Sequence, residues 1–303
     1  MSKYIIKSYE SGFEEEQAKI GLEVSKNWAW PFHYTLEELK EIYSENNFDP
    51  ETQFSCFKDG KMIGFALVIL KRESPAINIV EGMIACLDIP RVLSSHEEVP
   101  DLLMERLIAV LKAKGAKCIQ TRVSTMRENS IQLAEKWGFS PHKDFPLGYK
   151  NYYYYHLSKG KLDYPTKDLQ IFDPERDLTE CIKGVSYWFK MSKERAKKWI
   201  LEVDSRGDLV SHLVIRENEK LAAYCFAYPH PDRNDIVATY YIAATKEDYL
   251  KQLLVQTINN CIAKNHKYFL VDVMRDLLRY QSVVISLGFE NVATWGIYEL
   301  RLY

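Results

Sequence analysis

Several features common in other classes of protein are scarce here. Glycine accounts for 13 of 303 residues, about 4% against a usual share of about 7%, which disfavours glycine-rich phosphate loops. The six cysteines lie at least five residues apart and form no CxxC pair, and HExxH is absent, so we expect no metal site. The longest apolar run, residues 62–70, is about half of the ~20 residues that a membrane helix needs. Charge is balanced, with 40 Lys+Arg against 42 Asp+Glu, which excludes a basic nucleic-acid-coating protein. We therefore expect neither a membrane nor a nucleic acid as partner.

Apolar residues are plentiful. Hydrophobic residues make up 47% of the chain and aromatic residues 13%, enough to exclude a disordered protein. Most cysteines lie in apolar runs, and we interpret them as small buried hydrophobes rather than a disulfide framework. Residues 1–7 lack the apolar stretch of a signal peptide, so the expected location is the cytoplasm.

Hydrophobic periodicity predicts the same order of elements twice. Each half has a strand, two helices with an aromatic loop between them, a hairpin, a strand, an amphipathic helix, a strand, a short helix and a final strand. Residues 61–66 match residues 220–225, and Trp-Gly-Phe at 137–139 matches Leu-Gly-Phe at 287–289. Residues 158–168 have the composition of a linker. We therefore predict two domains, 1–160 and 161–303.

This order, together with the stretch at 127–139 that ends in Gly-Phe and the helix-to-strand turn at 112–117, resembles the GNAT superfamily of acyl-CoA N-acyltransferases. The resemblance implies a mixed α/β (α+β) sheet in each of two tandem GNAT-like domains. It also implies that acetyl-CoA enters between the fourth and fifth strands, with its diphosphate at the third helix's N-terminus. The cofactor-binding residues implied in the first half are Leu87, Ile89, Ser94, Ser95 and Asn129.

The chain departs from the family at the diphosphate loop. Members usually carry Arg/Gln-x-x-Gly-x-Gly/Ala there, but the two glycine positions fall on Glu98 and Pro100 in the first half and on Asp248 and Leu250 in the second. Proline lacks an amide donor, and carboxylates repel phosphate. Ser95 also has an alternative role, because Ser95 and Glu98 have the spacing of a helix capping box.

Acyl transfer to an amine needs a base, and family bases are often carboxylates near the fourth strand. Glu81 is the preferred candidate and Asp88 the second; the alternative is that Glu81 is an exposed carboxylate at the end of a strand. The aromatic loop between the first two helices contributes Trp28, Trp30 and Phe32 as acceptor-binding residues. These aromatic residues have the alternative role of a hydrophobic lid or a contact between the halves.

The resemblance therefore predicts an N-acyltransferase that moves an acetyl group from acetyl-CoA to a small-molecule or peptide amine. The first half is the preferred working copy, because its fourth strand is longer and its aromatic loop richer. The alternative is a non-catalytic protein that keeps the GNAT fold and binds a ligand or a partner, since neither half has the glycine loop.

Overall fold

The computed structural model describes residues 4–28, 31, 33–45, 48–71, 84–93, 95–127, 129–189 and 191–302, with the backbone alone at 71, 84–89, 188 and 274–276. The chain forms two compact units. One comprises Met1–Tyr149 with Ala293–Tyr303, and the other comprises Lys150–Val292.

The first unit is a mixed sheet with helices. Its elements are β1 (Ile5–Ser8), α1 (Glu14–Ser25), α2 (Leu36–Ser44), β2 (Phe54–Lys58), β3 (Lys61–Lys71), β4 (Ile84–Val92), α3 (Val99–Ala113), β5 (Cys118–Ser124), α4 (Ser130–Lys136), β6 (Ser140–Pro141) and, from Ala293 onward, β13 (Glu290–Arg301). The strand order is β1-β2-β3-β4-β5-β13-β6, and only β4 and β5 are parallel among these described pairs.

The second unit has the same kind of sheet. Its elements are β7 (Lys150–His156), β8 (Leu169–Ile171), α5 (Pro174–Phe189), α6 (Lys193–Asp204), β9 (Ser211–Glu217), β10 (Lys220–His230), β11 (Arg233–Ala244), α7 (Glu247–Ala263), β12 (Tyr268–Met274), a 3₁₀ helix (Arg275–Tyr280) and α8 (Gln281–Ser286). The strand order is β8-β9-β10-β11-β12-β7, with β11 and β12 parallel.

Strands β7 and β13 do not belong to the units that chain order predicts for them. β7 pairs with β12 along its whole length, whereas β13 pairs from Trp295 onward with β5. A division at residue 160 assigns β7 to the first half and β13 to the second. Strand pairing depends on which backbone edge is open and not on chain order, so hydrophobic periodicity carries no information about it.

Local sequence explains the turns and caps. Thr35 accepts from the amide of Glu38, whose carboxylate accepts from the amide of Thr35, which confirms the predicted capping box at the start of α2. The predicted hairpin at Asp59-Gly60 is also confirmed, since both residues have positive φ, as a two-residue type I′ turn requires.

The two faces of the second unit's sheet bury different side chains. Tyr224 and Phe226 of β10 pack with α5 and α6, whereas Ala223 and Cys225 pack with α7. This alternation follows from the two-residue period of a strand. The aromatic residues of β10 from Tyr224 to Tyr228 therefore lie on the face that carries α5 and α6, where the candidate site is found.

Five cysteine side chains are described, and all are buried thiols outside any disulfide, as predicted: Cys56, Cys118, Cys181, Cys225 and Cys261. Within the described ranges, no helix combines the length and apolar character needed to cross a bilayer.

Candidate functional site

The parallel strands of the second unit separate partway along their length. Pairing between β11 and β12 ends at Ala238 opposite Leu270, yet β11 continues to Ala244 and β12 to Met274. Beyond the last pair, each strand lacks the other's hydrogen bonds, and a gap opens between their carboxyl ends. Ligands of open α/β sheets bind at such places.

A cavity of about 480 Å³ lies at the mouth of this gap. Its wall comes from α5, the start of β10, the end of β11 with the connection to α7, and the 3₁₀ helix after β12. The volume is within the range of about 300–1,000 Å³ that is typical of small-molecule sites.

The rim of the cavity carries positive charge. Lys183, Lys220 and Arg279 all line it and are exposed. Glu180 is the one carboxylate among the described lining residues, and it accepts a hydrogen bond of 2.6 Å from the amide of Leu221. Three cations against one carboxylate favour an anionic ligand.

The N-terminus of α7 adjoins the cavity and has open amide groups. The amides of Glu247, Asp248 and Tyr249 donate no backbone hydrogen bond to any described residue, as expected for the first turn of a helix. The carboxylate of Asp248 is held to one side, accepting from Tyr164 at 2.6 Å and from Gln252 at 2.8 Å. These amides and the helix dipole therefore add to the attraction for an anion.

A close approach shapes the wall of the cavity. A β-carbon at Gly184 would lie 2.7 Å from the hydroxyl oxygen of Tyr241. Both residues line the cavity. Glycine at position 184 is thus what leaves room for the phenol.

Behind the same wall lies a chain of hydrogen-bonded titratable groups. The hydroxyl of Tyr224 is 2.8 Å from Nε2 of His212, and Nδ1 of His212 is 2.7 Å from Oδ1 of Asp204. Burial lowers the pKa of His212 despite the hydrogen bond to Asp204, so the ring is neutral near pH 7. Phe172 stacks on this ring with centroids 3.9 Å apart. Burial also raises the pKa of Tyr224 and that of the Cys181 thiol, which packs in the same buried cluster.

The first unit contains the corresponding split between its parallel strands. Pairing of β4 with β5 ends at Leu87 opposite Thr121, while β4 continues to Val92 and β5 to Ser124. Leu87 is therefore the last residue of β4 that pairs with β5, and Ile89 lies two residues beyond it. The backbone of both predicted cofactor-binding residues borders the gap.

The start of α3 differs from the start of α7. The N-cap residue of α3 is Glu98, whose carboxylate makes no capping hydrogen bond to the helix. The amide of Val99 donates to the carbonyl of His96, and Pro100 has no amide hydrogen. A carboxylate at the N-cap and a missing amide at Pro100 therefore make the start of α3 less favourable for an anion.

The capping box predicted at Ser95 is wrong. α3 begins at Val99, with Glu98 as the N-cap and no side-chain capping bond. Proline at the second helical position is compatible with this later start, because its missing amide hydrogen is not needed in the first turn. Ser95 itself is an exposed turn residue.

Four of the predicted site residues lie outside the described residues: Glu81, Ser94, Trp30 and Phe32. Asn129 precedes α4 in a left-handed conformation with φ of 62° and is exposed. Trp28 is half-buried, and its ring centroid lies 4.9 Å from the guanidinium carbon of Arg127, which is itself 5.1 Å from the ring of Trp295. These site assignments stay predictions.

Several residues of the cavity wall were not among the candidates from the sequence, namely Glu180, Lys183, Tyr224 and Arg279. The hairpin turn alone would have misplaced one part of it. A two-residue turn between Glu217 and Lys220 sets His212 opposite Cys225, but a bulge between Leu221 and Ala223 shifts the register by one residue. His212 therefore lies opposite Phe226, and Tyr224 is its diagonal neighbour on the same face. Among the described residues, no group of three His, Cys, Asp or Glu side chains is arranged to hold a metal ion.

No protein-family model and no curated protein sequence matches this chain. Solved structures do match over almost its whole length. A GCN5-related N-acetyltransferase from Sphaerobacter thermophilus has a TM-score of 0.66 at 10% identity, with 99% of this chain and 96% of that chain covered. A tandem GNAT protein from the clavulanic acid biosynthesis pathway has a TM-score of 0.65 at 11% identity, with 99% of each chain covered. An acetyltransferase of the GNAT family from Colwellia psychrerythraea has a TM-score of 0.62 at 14% identity, with 98% and 100% covered. The predicted mixed α/β architecture is confirmed, and the chain has the GNAT N-acetyltransferase fold.

Proposed function

We propose that this protein is an acyl-CoA-dependent N-acyltransferase that transfers an acetyl group from acetyl-CoA to the amine of a small molecule or peptide. The GNAT fold supports this proposal, and the single observation that carries it is the cavity at the split of β11 and β12. Acetyl-CoA supplies the activated acyl group, and the protein's part is to hold it and to manage the amine proton.

The cavity suits the chemistry of coenzyme A. Its phosphates are anions, and the rim offers Lys183, Lys220 and Arg279 beside the open amides of α7. Its pantetheine arm is a chain of amides, and the carboxyl end of β11 has unpaired backbone groups toward β12. We therefore assign the phosphates to the rim and the arm to the edge of β11.

We propose the second unit as the copy that binds the cofactor. The start of α7 is open, whereas the start of α3 has the Glu98 carboxylate and Pro100. The preference for the first half that came from the sequence remains a prediction, because Glu81 and Ser94 lie outside the described residues. The cytoplasmic location is likewise still a prediction.

A pair of matched substitutions separates the two units. Thr245 and Ser95 are exposed residues on the connections that precede α7 and α3. Glutamate at either position puts a negative charge where that unit would bind phosphate, and repulsion near the surface costs about 1.4 kcal/mol or more, a tenfold loss of affinity. In calorimetric titration, Thr245→Glu should therefore bind acetyl-CoA at least tenfold more weakly than the wild-type protein, and Ser95→Glu should bind it with unchanged affinity.

The same titration decides the wider proposal. At about 1 mM acetyl-CoA, even a site with a binding free energy of only −4.1 kcal/mol is half occupied. If the titration gives no heat and the protein no thermal shift at this concentration, the proposal that it binds the cofactor is contradicted. If Ser95→Glu weakens binding and Thr245→Glu does not, the acetyl-CoA site belongs to the first unit. Binding without release of CoA in the presence of diverse primary amines favours the non-catalytic, ligand-binding alternative.

A further inference from the structure

A chain of hydrogen-bonded side chains links the cavity of the second unit to the protein surface. Asp204 ends α6, and its side chain is 32% exposed. His212 on β9 and Tyr224 on β10 are buried, 6% and 1% exposed. Tyr224 lines the cavity together with Cys181 of α5. The chain from Asp204 to Tyr224 thus begins at the surface and ends at the cavity wall.

The direction of each hydrogen bond follows from what each group can do. A carboxylate accepts only, so Nδ1 of His212 carries the proton donated to Asp204. Nε2 is then an acceptor, and the hydroxyl of Tyr224 donates to it. The phenol oxygen remains able to accept, and Cys181, which packs in the same cluster and also lines the cavity, provides a thiol beside it. All donors therefore point from the cavity toward Asp204.

We infer that Tyr224, His212 and Asp204 form a proton-transfer chain that removes the proton of a thiol or amine reacting in the cavity. When such a group gives its proton to the phenol oxygen of Tyr224, the phenol passes its own proton to Nε2 of His212. The imidazolium that forms is stabilised by the Asp204 carboxylate, and Tyr224 ends neutral. The identity of the reacting ligand rests on the proposed function, but the chain itself does not.

The surroundings of His212 favour this role. The charged or titratable groups that face it are Asp204 of α6, Tyr224 of β10 and Asp177 of α5, and Phe172 covers one face of the ring. Asp177 is occupied by Arg216, with Nε and Oδ1 2.9 Å apart, and both side chains are buried. Asp204 is therefore the carboxylate available to hold the imidazolium. The pKa of His212, lowered by burial, keeps Nε2 ready to accept near neutral pH.

Cys181 provides a test that needs neither an acceptor amine nor turnover. Methyl methanethiosulfonate is a small neutral reagent whose S–S bond breaks when a thiol attacks. The thiol loses its proton, a methyl disulfide forms on the cysteine, and methanesulfinate leaves. Peptide mass spectrometry gives the rate at Cys181 itself. With the chain intact, Cys181 should react at a rate that stays nearly level between about pH 6.5 and 8, because the base is already neutral there.

Substitution of Tyr224 should change both the rate and its pH dependence. In Tyr224→Phe the thiol loses the phenol, and its pKa, raised by burial, then governs the reaction. We expect a rate at least tenfold lower at pH 7 that rises about tenfold per pH unit. Tyr228→Phe is the matched control, since Tyr228 lies on the same strand and face but outside the cavity wall, and it should keep the rate of the wild-type protein. If Tyr224→Phe fails to fold by thermal melting, His212→Asn replaces it with the same expectation.

The possible outcomes are decisive for the chain. An unchanged rate in Tyr224→Phe and His212→Asn, or a Cys181 that does not react in the wild-type protein, overturns the inference. The proposed function is checked separately by adding CoA, which should protect Cys181 from the reagent if it occupies the cavity. Reaction through the chain without protection by CoA keeps the inference and refutes the assignment of the cofactor to this cavity.

Discussion

Lys220 offers a direct test of the positive rim, because the other half of the chain contains its counterpart. Lys61 and Lys220 each begin the second strand of a hairpin after a two-residue turn, and both are exposed. Lys220 lines the cavity of the second unit, and Lys61 does not. Replacing each by alanine removes the same chemical group from two equivalent places in the sequence.

The expected magnitude follows from exposure. A hydrogen bond to a charged group contributes about 1.5–3 kcal/mol, and solvent screening at an exposed rim reduces this to about 1 kcal/mol. Lys220→Ala should therefore weaken acetyl-CoA binding about fivefold. Replacing Arg279 by alanine as well should cost about 2 kcal/mol in total, roughly 30-fold in affinity, because both exposed cations face the same anionic ligand.

Calorimetric titration at low and high salt measures these losses. Salt shortens the Debye length to about 3 Å at 1 M, so high salt should weaken binding by the wild-type protein and affect the double variant much less. Lys61→Ala should bind as the wild-type protein does. Equal losses from Lys61→Ala and Lys220→Ala, or no loss from the double variant, would refute the role of the rim.

Three further predictions concern the walls of the same unit. Gly184→Ala should weaken acetyl-CoA binding, measured by calorimetry, because its β-carbon displaces the Tyr241 phenol; unchanged affinity contradicts this. Asp177→Ala should destabilise the protein by about 3–5 kcal/mol in urea unfolding, because Arg216 keeps a buried, uncompensated charge; a loss below about 1 kcal/mol would argue against a buried pair. Because burial lowers the pKa of His212, the folded protein has its full stability above the unfolded pKa of about 6.5. It loses stability as the pH falls toward the lowered pKa, since the unfolded chain then binds the proton more readily. The wild-type melting temperature should thus fall more between pH 7 and 5 than that of His212→Gln, and parallel curves would contradict the assignment.

Much of the fold follows from local patterns in the sequence. The amphipathic period of the segment at 101–114 predicts a helix, and α3 spans Val99–Ala113 with Leu103, Leu107 and Leu111 fully buried. The segment at 246–263 predicts α7 in the same way. Such periods are visible because one face of each element must meet the core.

The candidate site was less accessible to sequence reasoning. The GNAT resemblance directed attention to the connection before α3, where Ser95 and Glu98 lie, yet the cavity is lined by α5, β10, β11 and the 3₁₀ helix of the second unit. Lys183 and Arg279 are nearly a hundred residues apart in sequence and belong to no recognisable motif. A charge at the rim of a cavity has the same sequence pattern as a charge on any exposed helix face.

The order of the elements, their caps and turns, and the repetition of that order can be read from the sequence, because they depend on neighbouring residues and on a period of 2 or 3.6 residues. Tertiary structure alone decided that β13 pairs with β5 and β7 with β12, because any open strand edge satisfies the same backbone groups. It also decided that Tyr224 meets His212 and that His212 meets Asp204. Contacts between side chains on different elements depend on register and packing, which no local pattern encodes.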